Sequence, residues 1–190
     1  MATMAERRRA TDQRIYEAAI EEFGKNGYAN TTLTRIARSS GITAGLIVQN
    51  FGSKEDLYKK ITSDVTEMIL KRIIPQSTAW DIRFVSSIEQ TIKSLKEDPK
   101  AVRYMAFYFS ALTSLDAPES VRRELWDIYD RSNAQETIAE GQRKGDIIAG
   151  DQFALYALFW IDAIGTILYC HRNGLEYPPT EWFLQIIRKR

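Results

Sequence analysis

Residues 32–58, TLTRIARSSGITAGLIVQNFGSKEDLY, constrain the chain most, because they pack two helix starts, a tight turn and a third helix start into one short stretch. Thr31 or Thr32 offers a side-chain oxygen to a free backbone N–H, and Leu33, Ile36 and Ala37 then recur at helical spacing. Ser39-Ser40-Gly41 closes that helix, since glycine tolerates the left-handed conformation common at helix ends, and Ile42 drops between the helices. Thr43 caps the next helix, which is expected to run to Phe51. Ile47 and Phe51, four residues apart, face its core, while Thr43, Ala44, Leu46, Val48 and Gln49 point largely elsewhere. Ser53-Lys54-Glu55-Asp56 reads as a variant capping box, and Leu57, Ile61, Val65 and Met68 continue an apolar stripe along a longer helix. Two short helices on a glycine turn, followed by a capped third, outline a helix-turn-helix, whose outward residues are candidates for a DNA groove.

Further positions extend the pattern. Ile15 through Phe23 supply a supporting first helix with Gly27-Tyr28 as its exit. Together with Thr32, Ile36-Ala37, Gly41-Ile42, Gly45, Phe51 and Ser53-Lys54-Glu55-Asp56-Leu57, these residues resemble the DNA-binding domain of the TetR family of transcriptional regulators over about residues 11 to 60. The resemblance implies an all-α protein. An N-terminal three-helix DNA-binding domain would be followed by a C-terminal helical bundle for ligand binding and dimerisation. The implied divisions are a basic arm at 1–10, the helix-turn-helix domain at 11–60 and the effector and dimerisation domain at 61–190.

The chain departs from the family pattern on the recognition helix. Members usually carry an aromatic at the position of Val48, a His or Tyr near Gln49 and Asn50, and often a Lys or Arg at Ala44. Val48 donates no hydrogen bond and Ala44 adds no charge. Phosphate contacts are therefore expected from Thr32, Lys54, the arm residues Arg7, Arg8 and Arg9, and backbone N–H groups at helix starts. Apolar side chains can read a thymine methyl, and Gln49 can bond an adenine edge.

Charge and cysteine usage narrow the setting. Net charge is only +1, yet residues 1–60 hold 10 Lys or Arg against 7 Asp or Glu, whereas residues 61–190 hold 16 against 18. The sign suits a DNA-facing N-terminal part. Arg7–Arg9 are followed by no apolar run, so the N-terminus is read as a flexible basic arm and not as a secretory signal. Cys170 stands alone, which precludes an internal disulfide and fits a reducing cytoplasm.

The segment from Phe153 to Cys170, FALYALFWIDAIGTILYC, approaches the length and apolarity of a membrane span, but Asp162 interrupts it at the centre. A helix apolar on all sides is more simply covered by its own domain on one face and a second subunit on the other. No membrane partner is expected. The dimer is assigned to residues 151–172 and 180–190. There Ala154, Ala157, Ala163 and Gly165 allow close approach, and Leu158, Ile161, Leu168, Trp182, Phe183, Ile186 and Ile187 provide apolar cover.

No segment alternates with a two-residue period, so the remaining chain is read as helices at Lys54 to Ile74, Trp80 to Glu97, Pro99 to Thr113, Pro118 to Lys144, Asp151 to Arg172 and Thr180 to Arg190. Pro75, Pro99, Pro118 and Pro178-Pro179 punctuate them. Aromatics concentrate in this half. Most aromatics at helical spacing are core, but Tyr104, Phe107, Tyr108, Trp126, Tyr129, Phe159, Asp162 and Thr166 together form a candidate pocket for a small, mainly hydrophobic molecule.

No catalytic machinery is evident. His171 is the sole histidine, next to Cys170, and adjacent helical residues diverge by about 100°. The sequence holds no phosphate-cradling glycine loop, paired-carboxylate motif or metal-ligand spacing, so neither an enzyme nor a cofactor is expected. Two functions remain. The first is a cytoplasmic homodimeric repressor released from a double-stranded DNA operator by a small-molecule effector. The second is a helical small-molecule binding module whose operator recognition has weakened.

Overall fold

The computed structural model describes residues 3–72 and 79–189, with no account of the side chain at 72. Its helices are α1 (Met4–Asn30), α2 (Leu33–Ser40), α3 (Ala44–Phe51), α4 (Lys54–Arg72), α5 (Trp80–Glu97), α6 (Pro99–Thr113), α7 (Glu119–Arg131), α8 (Ala134–Lys144), α9 (Gln152–Asn173) and α10 (Thr180–Leu184). Among the described residues the one β-type pairing is an isolated antiparallel bridge between Ile147 and Arg188. The chain is all-α, as its periodicity predicts. The expected helix end at Ile74 and the stop at Pro75 lie outside the described residues, as does Arg190.

The chain forms two compact units, Met1–Val65 with Ala106–Glu124, and Thr66–Met105 with Leu125–Arg190. The first unit thus includes a middle segment of the chain that a division at residue 60 leaves out. A close backbone approach explains the recruitment. A Cβ on Gly24 would lie 3.2 Å from the backbone nitrogen of Phe107, so glycine lets α6 approach α1 a few tenths of an ångström more closely than a larger residue would. Phe107, 1% exposed, then completes an aromatic cluster with Phe23 and Tyr58, whose ring centroids lie 4.7 Å apart, and stands 5.4 Å from Tyr58. Ile15, Ala19, Ile20, Ile36, Ile47, Leu57 and Ile61 are buried in the same unit. The buried line of α4 continues through Val65 to Ile69; Met68, expected in the stripe, is only half-buried.

Within the basic arm expected at 1–10, the described residues 3–10 do not form a free arm. Thr3 and Glu6 make a reciprocal capping box, with Glu6 N donating to Thr3 Oγ1 at 3.2 Å and Thr3 N donating to Glu6 Oε2 at 2.6 Å. With its first N–H satisfied, the arginine-rich stretch continues α1 outward, and Arg7, Arg8 and Arg9 are exposed along it. The regular part of α1 ends at Gly27, whose φ is 72°.

In the second unit, α5, α8, α9 and α10 pack together around Phe84, Ile88, Ile138, Phe159, Ile164 and Ile167, with Phe84 and Phe159 rings 4.5 Å apart. Two helix expectations need correction. The span from Pro118 to Lys144 is two helices, because Asn133 adopts the left-handed conformation at φ 55° and turns the chain between α7 and α8. Asparagine tolerates that region better than most residues, so no glycine or proline marks the break. The segment from Thr180 to Arg190 holds only the five residues of α10. Beyond it, Ile148 N donates to Ile187 O at 2.9 Å and Lys189 N to Asp146 O at 2.8 Å, which ties the C-terminal segment to the α8–α9 connection. Arg188 then stacks 5.6 Å over the Trp80 ring.

That pairing also corrects the dimer reading. Phe183 and Ile187 are buried within their own chain, so they cannot cover a partner. On α9, Leu155, Phe159, Ala163, Ile164, Ile167 and Cys170 face inward. Ala154, Leu158, Ile161, Asp162 and Tyr169 are exposed on the other side, with Gly165 and Leu168 half-buried among them. This helix alone, of those described, is long and apolar enough to cross a membrane by length and composition. Its sidedness and the exposed Asp162 suit a helix that packs on a domain.

Candidate nucleic-acid interface

The turn between α2 and α3 is built from local hydrogen bonds. Thr32, not Thr31, caps α2, its Oγ1 accepting from Arg35 N at 3.2 Å. Thr31 is instead buried, and its hydroxyl donates to Gly27 O at 2.8 Å and Glu22 O at 3.1 Å. Gly41 at φ 67° reverses the chain, with its own N–H and that of Ile42 returning to the last turn of α2. Arg14 of α1 donates to Ser40 O at 2.7 Å, placing a cation at the negative end of α2. Thr43 Oγ1 accepts from Leu46 N at 3.3 Å and starts α3.

A second set of contacts fixes α2 on α1. Glu22 Oε1 accepts from Ser39 Oγ at 2.5 Å and Glu22 Oε2 accepts from Arg35 Nε at 3.1 Å. The Ser39 hydrogen bond, chiefly, holds the Glu22 carboxyl below its ordinary range; partial burial opposes this and Arg35 adds to it. The capping box before α4 forms as read, with Asp56 N donating to Ser53 Oγ at 3.1 Å and Ser53 N to Asp56 Oδ2 at 2.9 Å. The Ser53 hydrogen bonds lower the Asp56 pKa.

Ile47 is wholly buried and roots α3, while Phe51 is only half-buried. Thr43 and Gln49 are exposed, and Val48 is 51% exposed; Ala44, Leu46 and Asn50 are half-buried. Asn50 is engaged within the fold, its Nδ2 donating to Asp12 Oδ1 at 2.7 Å. Lys54 is also held, with Nζ 3.0 Å from Tyr28 O and 4.0 Å above the Tyr28 ring. Thr34 and Arg38 share an exposed face of α2, four residues apart, and were not among the residues singled out from the sequence. Their outward direction depends on which side of α2 packs on α1, and helical spacing alone leaves that open.

The expected pocket residues are divided between the two units. Phe107 and Tyr108 are buried in the first unit, whereas Tyr104, Trp126, Tyr129, Phe159, Asp162 and Thr166 belong to the second. Phe107 is core, in the cluster with Phe23 and Tyr58. Trp126 is 62% exposed, and Asp162 lies on the outer face of α9, away from Phe159. Tyr129 stacks edge-on against Phe153 and Tyr156. Among the described residues no group of three or more His, Cys, Asp or Glu could hold a metal ion. His171 Nδ1 lies 2.8 Å from the Tyr177 hydroxyl.

A short helix rooted by a buried isoleucine and carried behind a glycine turn defines a helix-turn-helix protein. Residues 15–61 match the model for bacterial regulatory proteins of the tetR family. The chain belongs to the TetR family, a family of regulators and not of enzymes. It is 32% identical over 142 residues to the HTH-type transcriptional regulatory protein RaaS of Mycobacterium tuberculosis, an alignment covering 70% of this chain and 58% of that relative. The chain therefore spans little more than half the length of that relative. A TetR family transcription regulator from Marinobacter aquaeolei has the same fold, with a TM-score of 0.73 at 14% identity over 98% of this chain and 100% of that one. A tetR family regulator from Shewanella gives 0.68 at 18% identity over 95% and 99%.

Proposed function

We propose that this protein is a DNA-binding transcriptional regulator, a homodimeric cytoplasmic repressor released from its operator by a small, mainly apolar molecule. One observation carries the reading: α3 presents Thr43, Val48 and Gln49 to solvent from a fully buried Ile47. An α-helix with its side chains is about 10–12 Å across, which suits insertion of α3 into a major groove of about that width. Gln49 would read an adenine edge, and Ala44, Leu46 and Val48 would meet thymine methyls. Thr32, Thr43, Arg7, Arg8, Arg9 and Lys54 would contact phosphates, with Arg38 added by its exposure on α2. Asn50 would act through its bond to Asp12, by orienting α3.

The exposed stripe of α9, from Ala154 through Leu158 and Ile161 to Tyr169, supports a two-fold contact with a second copy. Such a dimer would set two α3 helices one helical turn apart, roughly 34–36 Å on DNA. The aromatic interior of the second unit supports an effector site. The exposed Val48 favours a second reading, a small-molecule binding module with weakened operator recognition.

Fluorescence anisotropy with palindromic DNA from the region beside the protein's own gene tests both. The regulator reading expects binding whose salt dependence is reduced by about one phosphate contact in Lys54→Ala. Equal binding to random DNA at every salt concentration would favour the second reading.

A further inference from the structure

Between α5, α8 and α9 lies a cavity of about 10 Å³ whose polar lining is Arg83, Ser87, Ser132, Thr137, Tyr156 and Trp160. Arg83 is the unusual member. It is only 8% exposed, donates one hydrogen bond, at 3.3 Å to Thr137 Oγ1, and among the described residues has no carboxylate partner. A guanidinium carries five N–H donors and keeps its charge in any protein environment, so most of its hydrogen-bonding capacity is unused in a place where that is costly. Burial lowers its pKa below the ordinary guanidinium range. A second donor is stranded beside it: the indole Nε1 of Trp160 is buried with no hydrogen-bond partner. The Tyr156 phenol is pushed up to about 12, chiefly by burial, and so stays protonated. Arg83, Trp160 and Tyr156 therefore line one void together, edged by the rings of Phe84 and Trp160, with the Tyr156 hydroxyl engaged by Ser132.

We propose that this cavity is the recognition point for the carboxylate of a small monocarboxylic acid with an apolar body. Arg83 would be its counter-ion and Trp160 Nε1–H a second donor to the same head group. The proposal rests on the reading of the second unit as an effector domain and names the chemistry of the effector. Acceptor-only oxygens complement a donor-rich site, and a planar carboxylate matches the guanidinium fork. The void has room for about one water-sized group, which accommodates a head-group oxygen and nothing larger. The apolar body must then lie toward the half-buried rings of Tyr156 and Trp160, and side-chain rotation there is the step that admits it. Such a rotation would alter the packing of α9 on α5.

The test is calorimetric titration of the full-length protein, in chloride-free buffer, with sodium hexanoate and sodium benzoate. Hexanamide and benzamide serve as neutral isosteres and sodium chloride as an ion without an apolar body. Both carboxylates should bind, each roughly 10- to 100-fold more tightly than its amide, the range expected for a hydrogen-bonded charge. Arg83→Met should abolish the preference and raise the melting temperature of the ligand-free protein, since it removes an unpaired buried charge. Trp160→Phe, which keeps a ring and deletes the N–H, should weaken carboxylates several-fold and leave amides unchanged. Absence of binding by both carboxylates, equal binding of acid and amide, equal binding of chloride, or an unchanged preference in Arg83→Met would each overturn the proposal. If Arg83→Met does not fold, the Trp160→Phe comparison decides in its place. Operator binding measured on the same samples separates the two readings. Carboxylate binding that leaves DNA affinity unaltered sinks the ligand-released repressor and spares the site, while intact operator binding without carboxylate binding does the reverse.

Discussion

Asn50 of α3 donates to the Asp12 carboxylate of α1 at 2.7 Å, across 38 positions of sequence. The bond fixes the orientation of the helix that bears Val48 and Gln49, and it occupies a side chain expected to reach DNA. Asn50→Ala should lower stability by about 1.5–3 kcal/mol, the usual result of deleting a bond to a charged acceptor, and weaken binding to every DNA sequence alike. Gln49→Ala is exposed and should leave the unfolding midpoint unchanged while altering which sequences are preferred. Urea unfolding together with a competition panel of operator variants measures both, and a sequence-selective loss in Asn50→Ala would assign it a direct base contact.

Glu22 provides a pH dependence. Its pKa is lowered in the fold below the ordinary 4.5, so the native state favours the carboxylate. A depressed carboxyl contributes stability that is complete above the unfolded value and lost as pH falls through the folded one. Glu22→Gln should cost about 1–2 kcal/mol near pH 7 through its bonds to Ser39 and Arg35. The gap between mutant and wild type should narrow as pH falls from the ordinary 4.5 through the lowered value in the fold. Unfolding curves at three pH values check it, and a gap of constant size would remove the ionic contribution.

The exposed face of α9 leads to a contrast between two substitutions. Leu158 is 49% exposed, so Leu158→Glu should leave the fold intact and, if α9 is the two-fold contact, destabilise the dimer by several kcal/mol because the charge enters twice. Ile187 is buried in its own chain, and Ile187→Glu should instead unfold the C-terminal segment. Sedimentation velocity at micromolar protein with circular dichroism distinguishes the two. A wild-type monomer, or a Leu158→Glu protein that stays dimeric, defeats the α9 interface.

Asn133 separates α7 from α8 at φ 55°. Asn133→Ala should cost about 1 kcal/mol, since alanine meets the left-handed penalty without a compensating polar group. Asn133→Gly should differ from wild type by no more than about 0.5 kcal/mol, the backbone freedom of glycine offsetting its larger unfolded-state entropy. The urea midpoints of both proteins provide the measurement.

The sequence by itself determined the parts whose chemistry closes within a few residues. Gly41, Thr43 and Ser53 mark helix boundaries because their partners lie within four positions, and Ile47 is legible as a root because helical spacing aligns it with its neighbours, whereas the choice of Thr32 over Thr31 as the cap came from the bonds that Thr31 makes to Glu22 and Gly27. Tertiary structure decided whatever depends on a partner far along the chain. Phe107 joins the first unit because Gly24 admits the α6 backbone, and Asn50 turns inward because Asp12 lies opposite. The C-terminal helix stops after α10 because residues 187–189 bond to the α8–α9 connection instead. Arg83 carries no mark of burial in the sequence, where a cation within an expected helix suits a solvent-facing position. Only the packing of α8 and α9 over α5 encloses it, since burial is a property of what covers a side chain and not of the side chain itself.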